Sequence, residues 1–169
     1  MSSQADHQVN EAIIEEVLRW ARSTLETNDS VAKILRLHAL TEHYLDRTLT
    51  LHLVDAKLIL SDGRFTYHHK RLLVGALGVF PIRVLDSLKR LSSLRNKCAH
   101  SAFPSISAAD VLHAAEPIQK SFDNTRTDCL NDGLQIDEFQ TYAWALFTEI
   151  SLTVKPLEMF VAQATNPSK

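Results

Sequence analysis

Residues 81–104 read PIRVLDSLKRLSSLRNKCAHSAFP, and this stretch gives the clearest indication of the fold class. Its apolar residues recur every three or four positions, the spacing of one helix face, at Val84, Leu85, Leu88, Leu91, Leu94 and Cys98. Pro81 suits the first turn of a helix, and the Ser-Ala-Phe-Pro sequence at 101–104 interrupts one. The spacing therefore predicts a long helix with one buried face that ends near His100.

The same spacing predicts helices on both sides of this stretch. We expect them over residues 9–26, 31–54, 65–78, 108–121 and 136–163, while 55–60 either continue the second helix or form a short one. Asn-Asp-Ser at 28–30 and Ser-Ile-Ser at 105–107 supply N-cap candidates, and Gly78 suits a C-cap. Pro117 is expected to kink or stop a helix and Pro156 to bend one. Residues 123–133 are polar and contain Asn-Asp-Gly, a turn signal. Since no alternating pattern is long enough for a sheet, we expect an all-α, up-and-down bundle of five or six helices.

Length and composition favour one domain with its own core, since the chain has 169 residues, 45% of them hydrophobic. We expect this domain to span 1–169, with 1–8 and 165–169 frayed. No apolar run approaches the roughly 18 residues of a membrane span, and no signal peptide pattern is present. We therefore expect a soluble, cytoplasmic protein. Cys98 and Cys129 lack the paired spacing of redox or zinc sites, and adjacent His68 and His69 point to different helix faces, so no metal and no cofactor are expected.

Charge is distributed unevenly along the chain. The net charge is −2, yet residues 64–100 contain eight basic residues and one acidic residue, Asp86. A basic segment inside an acidic chain can form a local site for an anionic ligand, although a solvated helix face is the alternative. Glu42 and Asp46 share a face of the predicted 31–54 helix. Because an unpaired buried charge is costly, Glu42 is either exposed or a partner for a cation elsewhere in the core.

Three polar residues near position 100 have the chemistry of a phosphate site. Arg95 and His100 are five residues apart, and Asn96 and His100 are four apart and therefore neighbours on one helix face. Arginine binds phosphate bidentately, and histidine can exchange a proton near neutral pH. Together they suffice for cleaving RNA through its own 2′-hydroxyl without a metal. Alternatively, the basic residues only stabilise the negative end of the helix dipole, by about 0.3–1 kcal/mol each.

The sequence Leu-Arg-Asn-Lys-Cys-Ala-His at 94–100, at the end of a helix in an all-helical chain, resembles the HEPN superfamily. This resemblance implies a metal-independent endoribonuclease, of a kind that includes many toxins and defence effectors, with Arg95, Asn96 and His100 as its catalytic residues. It also implies a homodimer in which two such motifs face one another and RNA crosses between them. Lys70, Arg71 and Lys97 would then contact the RNA backbone, and Glu42 would orient Arg95.

A second resemblance leaves catalysis open. Lys-Arg-Leu-Leu-Val-Gly-Ala-Leu-Gly at 70–78, followed by a helix ending in Arg-Asn-Lys-Cys-Ala-His, is similar to the mannitol operon repressor family, whose bundle is similar to HEPN domains. This likeness implies a non-catalytic regulator or protein-interaction module. In that case Arg95, Asn96 and His100 would close the helix end and stabilise the fold or the dimer. A regulatory protein or an antitoxin would be the partner.

Overall fold

The computed structural model describes Glu11, Glu15, Arg19 and residues 27–165, with side chains up to Glu158. The helix predicted over 9–26 lies outside the described residues except at Glu11, Glu15 and Arg19, which are helical. The ends predicted to fray also lie outside them, except for Thr165, which is helical. Every regular element within the described residues is a helix. The bounds are α1 Ser30–His52, α2 Lys57–Leu60, α3 Tyr67–Ala76, α4 Ile82–His100, α5 Ala108–Ala115, α6 Gln119–Asn131 and α7 Glu138–Thr165, with a 3₁₀ turn at Glu116–Ile118 between α5 and α6. The predicted all-α helical bundle is confirmed.

Local capping fixes several of these helix ends. The Asp29 side chain accepts a hydrogen bond from the Val31 backbone N–H at 2.9 Å and caps α1. Ser107 caps α5, and Asp110 reciprocates by accepting from the Ser107 backbone at 2.9 Å. Gly78 and Gly133 follow α3 and α6 with φ of +69° and +72°. Because residues with a Cβ rarely adopt this conformation, glycine terminates both helices in the way the sequence predicted for Gly78.

Helix α4 occupies the centre of the bundle. It packs against α1, α3, α5 and α7, while α7 also runs along α1, α5 and α6. All six residues predicted to face inward from α4 are buried: Val84, Leu85, Leu88, Leu91, Leu94 and Cys98. Polar groups in the core also pair between helices, since the Ser87 hydroxyl donates to the Ala114 carbonyl at 3.0 Å and lies 3.0 Å from the Tyr142 hydroxyl. This bond pair links α4 to α5 and α7.

The region after Pro117 differs from the prediction. The helix breaks into a 3₁₀ turn around this proline, as expected, but the chain resumes as α6 over Gln119–Asn131. Residues 123–131 are therefore helical rather than part of a polar loop. The pattern does not reveal α6 because Phe122 is its one buried residue. Packing against α7 and the glycine at 133 hold this polar helix in place.

No helix among the described residues combines the length and apolar character needed to cross a membrane. Cys98 is buried and Cys129 is partly exposed, and both are free thiols. Burial raises the pKa of each thiol. Both cysteines therefore favour the unreactive protonated form at neutral pH.

Candidate functional site

The last turns of α4 carry the three predicted catalytic residues on the surface. Arg95, Asn96 and His100 are all exposed, whereas Leu94 and Cys98 between them are buried and anchor the helix. The Arg95 guanidinium donates a hydrogen bond to the Asn96 side-chain oxygen at 3.4 Å. His100 lies one helical turn beyond Asn96 on the same face. A rigid, buried helix thus presents all three polar side chains to solvent.

A polar cavity of about 420 Å³ opens beside this helix end. Three helices build it, because α1, α3 and α4 pack together there. Its lining consists of His38, Glu42, Thr66, Tyr67, His68, Ser92, Arg95 and Asn96. Arg95 and Asn96 therefore share the cavity with Glu42. His100 does not line it and lies one turn further along α4.

Glu42 forms an ion pair with Lys70 and not with Arg95. The Lys70 ammonium donates to a Glu42 carboxylate oxygen at 2.8 Å and to Asp46 at 3.0 Å. Burial lowers the pKa of Lys70, but its hydrogen bonds with Asp46 and Glu42 outweigh burial and raise the pKa overall. Glu42 is thus a partner for a core cation, one of the two alternatives expected from sequence. The contact expected to orient Arg95 is not formed, because Lys70 engages this carboxylate.

The expectation that Lys70, Arg71 and Lys97 line an open RNA cleft needs correction. Lys70 and Arg71 are buried, with 7% and 9% of their surface exposed, because both lie on the face of α3 that packs inward. Lys97 is exposed but binds both oxygens of Asp110, at 2.9 and 2.8 Å. Each of these cations is therefore buried or neutralised, which leaves little free charge for a phosphate backbone.

Most of the basic 64–100 segment is neutralised in the same way. Within the described residues, ion pairs connect Arg64 to Asp62, Lys70 to Glu42 and Asp46, Arg83 to Glu149, Arg90 to Glu116, and Lys97 to Asp110. Among the basic residues of this segment, Arg71, Lys89 and Arg95 form no ion pair with a carboxylate in the described part of the chain, and of these three Arg95 is the one that lines the cavity. It is consequently the exposed cation at this cavity that retains its capacity to bind an anion.

The Lys97–Asp110 pair supports a prediction about stability. Hydrogen bonds from Lys97 and from Ser107 lower the pKa of the Asp110 carboxyl to about 2. Because the pKa of this carboxyl is lower in the folded state, its ionised form stabilises the fold at pH values above 3.8, its ordinary pKa. This contribution to stability is lost as the pH falls toward about 2. Asp110→Asn should therefore destabilise the fold at pH 7, by at most about 1 kcal/mol because the pair is exposed.

Thermal melts of wild type and Asp110→Asn between pH 2 and 7 test this prediction. The difference in melting temperature should shrink as the pH falls below about 3.8. Asp128→Asn is the matched control, because Asp128 is an exposed helical carboxylate outside the ion pairs of the described residues. A difference between wild type and Asp110→Asn that stays constant down to pH 2 would contradict the assigned ion pair.

Sequence reasoning missed His38 and Tyr67 in the cavity wall. His38 lies on α1 and is buried, with 8% of its surface exposed. Its ring stacks on that of Tyr67, with 4.1 Å between centroids. The available signal was the four-residue spacing between His38 and Glu42, which puts both on one face of α1.

The adjacent histidines of α3 have separate roles. His68 is exposed and lines the cavity. The His69 ring nitrogen Nδ1 accepts a hydrogen bond from the Thr66 backbone N–H at 3.2 Å and so helps to cap α3. Among the described residues, no group of three or more His, Cys, Asp or Glu side chains is arranged to hold a metal ion.

The chemistry available at this cavity is anion binding combined with proton transfer. Arg95 supplies a charged fork of N–H donors, and the Asn96 amide lies next to it. Imidazole groups come from His38 and His68 within the cavity and from His100 one turn beyond it. Comparisons with protein-family models, curated proteins and solved structures give no match to this chain.

Proposed function

We propose that this chain is a HEPN-like, metal-independent endoribonuclease that acts as a homodimer, in the manner of a toxin or defence effector. The observation that carries the proposal is the state of Arg95. It is exposed beside a polar cavity, and no carboxylate among the described residues neutralises it. An arginine in that state suits a phosphodiester, because an anionic substrate can supply the partner that the described residues do not.

The small number of contacts made by Arg95, Asn96 and His100 also favours a functional role for these residues over a structural one. Arg95 bonds only to its neighbour Asn96 within the described residues, and His100 forms no hydrogen bond or ion pair there. Side chains that close a helix end to stabilise the fold would contact its last carbonyl groups or another helix. Arg95, Asn96 and His100 therefore contribute little to folding.

In the proposed reaction, the ribose 2′-oxygen attacks the adjacent phosphorus and the bond to the 5′-oxygen breaks. Arg95 stabilises the charge that develops on the phosphorane, and Asn96 holds the phosphate in position. His100 transfers a proton, either from the 2′-hydroxyl or to the departing 5′-oxygen. The products are a 2′,3′-cyclic phosphate and a 5′-hydroxyl, and neither step requires a metal.

Incubation of a mixed-sequence RNA with the purified protein in excess EDTA tests this function. We expect cleavage by the wild type, with cyclic phosphate and 5′-hydroxyl ends. His100→Ala should lower the rate by about 10²–10⁴-fold while changing the free energy of unfolding by less than about 0.5 kcal/mol, as for most surface substitutions. Products with 3′-hydroxyl ends, or equal rates for both proteins, would contradict the proposed mechanism.

A non-catalytic interaction module, similar to the mannitol operon repressor family, is the second candidate. It is favoured by the neutralised basic segment, which leaves no broad basic cleft in the described residues, and by Phe103. This phenylalanine is 92% exposed three residues beyond the end of α4, where it suits a protein contact. Absence of RNA cleavage by a folded dimer would favour this candidate, with a regulatory protein or an antitoxin as partner.

A further inference from the structure

His38 is an unpartnered imidazole in the wall of the cavity. More than nine tenths of its surface is buried, and its ring nitrogens accept or donate no hydrogen bond to the described residues. Some described side-chain atoms are both shielded from solvent and without a hydrogen bond, namely one oxygen each of Asp46, Ser151 and Glu158. Neither nitrogen of His38 is among them. The ring nitrogens therefore keep some contact with solvent, and His38 lines the cavity. The imidazole thus remains able to form a hydrogen bond that the described residues do not supply.

Neighbouring residues hold this ring in one orientation. The His38 ring stacks on Tyr67 at 4.1 Å between centroids, with 30° between the ring planes. The Tyr67 hydroxyl lies 3.0 Å from the Thr41 hydroxyl, which in turn donates to the His38 carbonyl at 2.8 Å. Packing and hydrogen bonds thus join α1 to α3 around the imidazole. Such preorganisation is what a proton-transferring group requires.

The charged and titratable groups around His38 come from all three helices of the cavity. Glu42 lies on its own helix, Tyr67 and His68 on α3, and Arg95 on α4. Burial is the largest effect and lowers the pKa of His38; Glu42 opposes this, and Arg95 reinforces it. His38 therefore carries the neutral imidazole at pH 7, and neutral imidazole can accept a proton.

We infer that His38 is a further catalytic residue, the one that accepts the proton of the ribose 2′-hydroxyl. This inference rests on the proposed ribonuclease function and makes His100 the proton donor. The 2′-hydroxyl proton moves to an His38 ring nitrogen as the 2′-oxygen forms its bond to phosphorus. The bond from phosphorus to the 5′-oxygen breaks, and the His100 imidazolium protonates the departing oxygen. Exchange with water then returns both rings to their starting forms, so that protons and charge balance over one turnover.

We assign His38 as the proton acceptor and His100 as the proton donor because the two histidines differ in burial and in position. His38 is buried and lines the cavity together with Arg95, the residue that would bind the scissile phosphate. His100 is exposed one turn beyond Asn96 and does not line the cavity. A base inside the cavity and an acid beyond it suit proton transfers at two different oxygens of one phosphate.

Rates of RNA cleavage by wild type, His38→Gln and His43→Gln, measured in EDTA from pH 4.5 to 8.5, test the inference. His38→Gln should lose at least about 100-fold in rate and should also lose the rise in rate with pH that we expect of the wild type below pH 6.5, the ordinary imidazole pKa. His43→Gln is the matched control, since it makes the same replacement on an exposed face of α1. Because His38 is buried, a second variant, His38→Ala, is assayed with added imidazole, which should restore part of the activity.

The outcomes separate the inference from the function on which it rests. Loss of both rate and low-pH dependence in His38→Gln, with rescue of His38→Ala by imidazole, supports the assignment. Cleavage by His38→Gln with the wild-type rate and pH profile overturns the role of His38 and leaves the nuclease intact. A folded His38→Gln that is slow yet keeps the wild-type pH profile also overturns it. Absence of cleavage by the wild type refutes the ribonuclease function itself.

Discussion

Replacing Arg95 with alanine is expected to slow RNA cleavage by about 100- to 1,000-fold and to change the free energy of unfolding by less than about 0.5 kcal/mol. The loss is large because the guanidinium is the exposed cation at the cavity without a carboxylate partner in the described residues. Its charge is therefore available to the phosphorane. Stability is nearly unaffected because the side chain forms one long hydrogen bond, 3.4 Å, with its neighbour Asn96.

Two further variants sharpen this test. Arg95→Lys keeps the positive charge but loses the planar fork of donors, so its rate should fall between those of wild type and Arg95→Ala. Arg126→Ala removes an exposed arginine from α6 and should retain full activity. Single-turnover rates with excess enzyme provide the measurement, and chemical denaturation provides the stability. Arg95→Ala with full activity, or with a loss of several kcal/mol in stability, would favour the structural role of the cluster.

Replacing Leu88 with alanine is expected to lower the free energy of unfolding by about 2–5 kcal/mol. Leu88 has no exposed surface and lies on α4, the helix that contacts α1, α3, α5 and α7. Truncation there removes apolar contacts and leaves a cavity that four surrounding helices cannot easily fill. Since domains of this size are stable by roughly 5–15 kcal/mol, the loss would be a large share of the total.

Urea denaturation followed by circular dichroism measures this effect. Leu152→Ala on α7 is the matched control, because that leucine is 54% exposed and its truncation should cost less than about 1 kcal/mol. The midpoint of Leu88→Ala should move to lower urea with little change in slope. A loss below about 1 kcal/mol would contradict the central position of α4.

The amino-acid sequence alone determined most of the described helices, α6 excepted, and the inward face of α4. Apolar spacing of three and four residues repeats within a single helix, and Asp29, Gly78 and Ser107 act on helix ends only a few residues away. These are local interactions, so the order of residues is enough to predict them. The same reasoning explains why Arg95, Asn96 and His100 were found together, since one helix end carries all three.

The tertiary structure alone decided which charges are free and which residues form the cavity. Lys70 is neutralised from α1 and Lys97 from α5, so a segment that is basic in sequence has little free charge in the fold. His38 joins Arg95 because α1 packs against α4, although 57 positions separate them in the chain. Contacts of this kind depend on the positions and rotations of whole helices, which periodicity within one helix does not specify. For that reason the position of Arg95 at the helix end could be predicted, whereas the placement of His38 and Tyr67 across the cavity could not.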